Sequence, residues 1–223
     1  HNTQNSLTKL AKYVINKNRE KDTLNFWFKN NQKIDSIIFN LKGSDSIEKV
    51  VVKKRKTQIK DSLILKFLNS NFLELNDSIK IESNIPIMNV NTDSIKIIDI
   101  DSILIPFDVS LDKNLDILNL KINPLPNDNY KINIKSGSIT DFFGNSNEPL
   151  FLNLKTKTYE DYGTLFLQVD NNNDLPYFIE ILNFKGEKIR KELGDKIDGN
   201  YSFYNLIPDK YTVRIIIDEN KNF

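Results

Sequence analysis

Residues Asn129 to Asn145 read Asn-Tyr-Lys-Ile-Asn-Ile-Lys-Ser-Gly-Ser-Ile-Thr-Asp-Phe-Phe-Gly-Asn. Tyr130, Ile132 and Ile134 alternate with polar residues, so all three point to one face of a strand. Ser136-Gly137 then turns the backbone, and Asp141 to Asn145 closes a second turn. This is the pattern of the end of a β-sandwich, and the flanking sequence extends it in both directions.

Residues 61–158 divide into seven segments of strand character, at Leu63–Leu68, Ile79–Glu82, Ile95–Ile98, Ile103–Val109, Ile117–Ile122, Tyr130–Lys135 and Phe151–Thr156. Turn signals fall between them at Asn69-Ser70-Asn71, Asn91-Thr92-Asp93, Asp112-Lys113-Asn114, Pro124 to Asn129 and Gly144 to Pro149. Short strands with a turn about every ten residues predict an immunoglobulin-like sandwich. Asp followed by Ser or Thr and then Leu or Ile recurs at Asp22, Asp35, Asp45, Asp61, Asp77, Asp93 and Asp101. That repetition suits turn and strand entry, where Asp and Ser bond their own backbone, and does not suit a catalytic acid.

Downstream, Thr164–Val169, Tyr177–Asn183, Lys188–Lys191, Tyr201–Tyr204 and Tyr211–Ile217 predict a second set of strands, with Gly186 and Gly199 at turns. Upstream, Leu24, Phe26 and Phe28, then Ile37 and Phe39, then Val50 and Val52 alternate with other residues and predict three strands. Three strands cannot enclose a core. They are expected to pair with residues before His1, with Ser6 to Asn16, or with the next domain. Ser6 to Asn16 spaces Leu7, Leu10, Ala11, Val14 and Ile15 as a short helix would, with Ser6 as its cap, while Tyr13-Val14-Ile15 is equally a strand.

Two resemblances follow from these motifs. Pro86-Ile87, Asp93-Ser94-Ile95-Lys96-Ile97, Tyr130-Lys131-Ile132, Gly137 through Asn145 and Lys155-Thr156 resemble the SbsA-type bacterial Ig-like domain of surface-layer and surface proteins. Asn200 to Arg214 resembles the Y-x-F-x-N-L-x-P-G-x-Y-x-V signature of transthyretin-like, carboxypeptidase-regulatory and Cna-B-type domains, with Asp209 where that signature has Gly. From about residue 20 to 223 the chain resembles the C-terminal half of multi-domain Ig-like lipoproteins of Gram-negative envelopes. The resemblance implies stalk, adhesion or interaction modules rather than catalysts, a partner protein in the cell envelope, and an outer-membrane association through an anchor outside this sequence.

The expected fold class is all-β, as tandem Ig-like/transthyretin-like β-sandwiches. The expected domains are a partial β unit at 1–60, an Ig-like sandwich at 61–158 and a transthyretin-like sandwich at 161–223.

Composition removes most chemistry. The chain has no Cys, and its one His is His1, so a thiol nucleophile, a Ser-His-Asp triad and a thiolate or multi-His metal site have no residues to use. The spacing nearest to a phosphate loop, Gly194 to Gly199, is followed by Asn200 rather than Lys. Paired carboxylates for glycoside cleavage need only meet in space, yet among 30 acids nothing nominates a pair. A net charge of +1 with interspersed signs offers no global field for nucleic acid or anionic lipid. Lys53-Lys54-Arg55-Lys56 is the densest basic run; without interleaved aromatics it reads as a solvated edge rather than a nucleic-acid site. No apolar run approaches the ~20 residues that span a bilayer. The abrupt ends, His1-Asn2-Thr3 and Asn220-Lys221-Asn222-Phe223, read as those of a piece of a longer chain.

Two ligand classes have a sequence argument. Asp218, Asn220 and Asn222 carry the alternating oxygens that open a calcium loop, and Asp170, Asn172 and Asp174 repeat the spacing. Neither stretch has the Gly at position six or the acid at position twelve that complete such a loop. Trp27, Phe26, Phe28, Tyr177, Phe178, Tyr201 and Phe203 are candidates for stacking on glycan wherever they face outward, with core packing as the competing role. Coplanar exposed aromatics would favour a calcium- or glycan-binding adhesion module; a polar surface would favour a non-enzymatic structural or protein-interaction module, such as an accessory subunit of an outer-membrane assembly or secretion complex.

Overall fold

The computed structural model describes residues 13–17, 23–29, 36–42, 47–53, 62–170, 175–194 and 199–219. Its described residues are almost wholly strand and turn, interrupted by two single 3-10 turns at Thr92–Ser94 and Tyr159–Asp161. No helix among them is long and apolar enough to cross a membrane. Two compact units divide the chain: His1–Leu73, Asp77–Asn123 and Asn129–Leu154 form the first, and Glu74–Asn76, Pro124–Asp128 and Lys155–Phe223 the second.

In the first unit, β1 (Tyr13–Lys17) pairs antiparallel with β2 (Leu24–Phe28), and β3 (Ser36–Lys42) with β4 (Ile47–Lys53). Of the two readings open for Ser6 to Asn16, Tyr13 onward takes the strand, and it supplies the partner that Leu24–Phe28 needs; Ser6 to Lys12 lie outside the described residues.

The sandwich itself follows. A four-stranded sheet runs in the order β5 (Leu65–Phe67), β6 (Ile79–Ser83), β10 (Ile117–Lys121), β9 (Asp108–Leu111). A three-stranded sheet runs β13 (Leu150–Lys155), β11 (Asn129–Ile134), β8 (Ile95–Ile98), and a short ladder joins β7 (Ile87–Val90) to β12 (Ile139–Asp141). Alternation decides what each sheet buries. Ile79, Ile81, Leu118 and Leu120 from one sheet meet Ile95, Ile97, Tyr130, Ile132 and Ile134 from the other in a single core. Each aliphatic side chain so buried contributes about 1.5–3 kcal/mol relative to exposure. The intervening residues Lys80, Glu82, Lys96, Lys121 and Lys131 lie on the outward faces.

Two details differ from the reading of the sequence. Ile103–Val109 is not one strand: Leu104 makes an isolated bridge to Ile98, and regular pairing begins only at Asp108. Pro106 lacks the N–H that a continuous ladder would need there. Conversely, β7 and β12 are strands that the periodicity did not reveal.

The turns are held by carboxylate and amide side chains. Asp141 accepts from the backbone N–H of Phe143 and of Asn145, each at 2.8 Å, and from the Asn145 side-chain amide at 2.8 Å. Buried Asn147 accepts from Ile139 N at 2.7 Å and donates to the carbonyls of Lys135 at 3.0 Å and Glu148 at 2.7 Å. Such bonds fix the chain reversals that follow Ile134 without a long loop.

In the second unit, β14 (Gly163–Gln168) pairs with β17 (Asn200–Leu206), while β15 (Tyr177–Leu182) lies between β16 (Lys188–Leu193) and β18 (Thr212–Ile217). Tyr177, Ile179 and Ile181 of one sheet and Tyr201, Phe203 and Leu206 of the other enclose the core, where the Tyr177 and Tyr201 hydroxyls are 2.9 Å apart. Gly199 opens β17 at φ +64°, and a Cβ there would lie 2.3 Å from the Val169 carbonyl oxygen, so no side chain fits. The left-handed residue of the Asn200–Arg214 motif is Asn205, at φ 56°. Asp209 is not among the residues of positive φ, which explains why Gly is dispensable there; its carboxylate accepts from Lys210 N at 2.7 Å.

Candidate functional site

Of the calcium candidates, Asp218 and Asp170 lie among the described residues. Asp218 is buried directly after β18, its backbone N–H donating to the Pro176 carbonyl at 2.8 Å, whereas Asn220 and Asn222 lie outside the described residues. Asp170 is exposed, and Asn172 and Asp174 lie outside too. No group of three or more His, Cys, Asp or Glu among the described residues is placed to hold a metal ion. Of the basic run, Lys53 ends β4 exposed, and Lys54, Arg55 and Lys56 lie outside the described residues.

The aromatic candidates separate by burial. Tyr177, Tyr201 and Phe203 are core residues and present no surface for stacking. Phe178 is half-buried under the Lys191 ammonium, 3.5 Å from its ring centroid. Trp27 is half-buried: its ring meets Phe143 edge-on at 6.1 Å, and its indole N–H donates to the Asn16 side-chain oxygen at 3.3 Å. Asn16 in turn donates to the Asn114 carbonyl at 3.3 Å, so Trp27 pins the β1–β2 hairpin to the loop ends of the first sandwich. Phe26 packs edge-on against Phe39 of β3 at 4.8 Å. The exposed aromatic pair is elsewhere, at Phe166 and Tyr204, and alternation alone could have found it: both stand one residue out of step with the core positions Leu165, Leu167 and Phe203.

The second unit also carries an open strand edge. Among the described residues, β18 ends its sheet and is paired on one side only, to β15. Val213, Ile215 and Ile217 stand opposite Ile181, Ile179 and Tyr177, so they face the core side of the sheet. They are nonetheless 38%, 47% and 50% exposed, and Ile216 on the other face is 38% exposed. Edge strands ordinarily carry Lys, Pro or a bulge against unwanted pairing. β18 has no Lys or Pro and pairs with β15 without a register shift. Its single charge, Arg214, is turned onto β15: Nε and a terminal nitrogen of Arg214 donate to one Glu180 carboxylate oxygen at 3.1 and 2.6 Å. Lys188 lies 3.4 Å from the other oxygen. The Arg214 hydrogen bond, aided by Lys188 and opposed by burial, holds the Glu180 carboxyl below the usual carboxylate range. The resulting stabilisation is present above the unfolded carboxylate pKa and is lost as pH falls through the lowered folded value.

A second ionisable cluster lies at Glu74. Its carboxylate accepts from the Tyr162 hydroxyl at 2.8 Å and pairs with Lys157 at 2.8 Å. Burial, then the hydrogen bond and charge of Glu74, push the Tyr162 hydroxyl from 10.0 up to about 12. A raised tyrosine pKa stabilises the fold below the unfolded value, and that contribution disappears as pH rises from 10.0 towards about 12. Spectrophotometric titration should show phenolate absorbance still growing near pH 12, with that portion missing in Tyr162→Phe. Identical titration curves for the two proteins would refute the assignment. At neutral pH the raised value keeps the Tyr162 phenol protonated and donating to Glu74.

Comparison with known proteins adds little. No protein-family model matches the chain, and no curated protein matches it. Among solved structures, it is similar to native alpha-2-macroglobulin from Escherichia coli spanning domains MG0-NIE-MG1, at 10% identity and a TM-score of 0.36, over 69% of this chain. The match spans 60% of that chain's length. A likeness at that level carries no argument, and the all-β fold follows from the chain's own strand pairing.

Proposed function

We propose that this chain is a non-enzymatic protein-interaction module of a cell-envelope lipoprotein, one that holds a partner by adding the partner's strand to β18. The open apolar edge carries the proposal. In strand addition, main-chain hydrogen bonds supply affinity and alternate side chains supply selectivity. β18 offers both, a ladder edge with no neighbour among the described residues and a half-exposed row of Val213, Ile215 and Ile217. The motif residues support the finer identities we assign, an SbsA-type Ig-like first sandwich and a transthyretin-like second one: Tyr130, Ile132, Ile139 and Phe142 are buried in the former, Tyr201, Phe203 and Leu206 in the latter. An accessory role in an outer-membrane assembly or secretion complex is the version of this function that the lipoprotein resemblance favours.

The edge is testable because its side chains are half exposed. Ile215→Lys places a charge where an added strand must pack, at a folding cost of about 1 kcal/mol or less. Affinity purification of the full-length protein from its own envelope should recover a partner with the natural chain and with Val51→Lys, an exposed control on β4, and lose it with Ile215→Lys. Equal recovery with Ile215→Lys, or loss with Val51→Lys instead, would overturn the site.

A further inference from the structure

The outward face of the β14–β17 sheet carries no charged residue in its two rows, unlike those of the larger sheets. Phe166 lies opposite Ser202 and Gln168 opposite Asn200. Alternation puts Thr164, Phe166 and Gln168 in one row and Asn200, Ser202 and Tyr204 in the other, because Leu165, Leu167, Tyr201 and Phe203 are turned into the core. None of these six residues is charged. The larger sheets carry Lys80, Glu82, Lys96, Lys121, Lys131, Glu180, Lys191 and Arg214 at their outward positions, along with single apolar residues such as Phe151 and Ile216. In their place this face exposes two aromatic rings, Phe166 at 71% and Tyr204 at 59%.

We propose that this face binds a neutral glycan. The two rings stand at 88° with centroids 6.5 Å apart, forming a right-angled corner rather than a flat platform. A corner of that kind seats one pyranose, its C–H face on one ring and its rim against the other, and so suits a chain end or a short oligosaccharide. Around it, Gln168, Asn200, Ser202 and Thr164 bring amide and hydroxyl groups of both hydrogen-bonding senses, which is what sugar hydroxyls require. Charge complementarity argues against the alternatives: among the described residues the two rows carry no cation for a phosphate or nucleic acid and no ion for an acidic or basic peptide, and two rings set among polar side chains fall short of the apolar centre of a protein interface. The corner is also anchored. The Asn76 side chain donates to the carbonyls of Tyr204 and Asn205, each at 3.3 Å, at the point where Asn205 takes its left-handed backbone. This site uses a sheet face and is independent of the β18 edge.

The test is an array of immobilised malto-, cello-, manno-, galacto- and chito-oligosaccharides with sulfated and sialylated members, followed by calorimetric titration of the best-bound neutral compound. Phe166→Ala and Tyr204→Ala are expected to weaken binding about tenfold or more. Phe184→Ala, which removes an aromatic ring that is 66% exposed and not on this face, should leave it unchanged. All three side chains are exposed, so melting temperatures should match the natural chain and separate lost binding from lost folding. Absence of binding to every neutral compound, binding confined to the charged ones, or binding that survives both Phe166→Ala and Tyr204→Ala would each overturn the proposal. So would light scattering that shows the two rings holding a second copy of the chain.

Discussion

Asp141→Ala is expected to destabilise the first unit by about 3 kcal/mol, read as a lowered urea midpoint by far-ultraviolet circular dichroism. The reason is the number of donors the carboxylate serves. It accepts from two backbone N–H groups and one side-chain amide within the turn that follows β12, and Asp141 is itself buried. Removing it leaves these donors without their acceptor, and hydrogen bonds to a charged group are worth about 1.5–3 kcal/mol. Asp141→Asn keeps a side-chain oxygen and should cost about half as much. A loss below about 1 kcal/mol for Asp141→Ala would mean that water replaces the carboxylate and that the turn is held by its backbone hydrogen bonds and the packing of Phe142.

In the second unit, Tyr201→Ala should cost about 4 kcal/mol, the usual penalty for emptying a fully buried aromatic site. Tyr201→Phe should cost about 1 kcal/mol, because it removes the contact with the Tyr177 hydroxyl while keeping the ring. The ratio is the informative quantity. A small unit has few large side chains to lose, and Tyr201, Phe203 and Tyr177 make up half of its fully enclosed set. Comparable costs for the two variants, measured by denaturant unfolding, would show that the hydroxyl pair rather than the ring organises this core.

These expectations grow from features of unequal legibility. Ile95–Ile98, Ile117–Lys121 and Asn129–Ile134 were readable because period-two alternation survives wherever one face is buried and the other wet. Ile87–Val90 and Ile139–Asp141 were not, because three or four residues are too few to display a period. Pro106 inside the run Ile103–Val109 is itself a sequence signal for a broken strand, because its missing N–H interrupts a ladder. The turn at Asp141–Asn145 was legible from its residue types. The site was harder. Which strand ends a sheet is a matter of order in space, and nothing in Thr212–Ile217 itself says that one side has no neighbour among the described residues. Phe166 and Tyr204, by contrast, could be assigned outward as soon as Leu165 and Phe203 were assigned inward. Burial separated the aromatic candidates by the same rule: Tyr201 and Phe203 share a face, and that face is the core.

The chain has a single tryptophan, and the structure wedges it between a hairpin and the turn that Asp141 organises. Its emission maximum therefore monitors one seam of the molecule. Release of the β1–β2 hairpin from Phe143 would shift the indole fluorescence to the red while leaving the circular dichroism of both sandwiches nearly untouched, which makes partial opening at this seam separable from global unfolding without any introduced label.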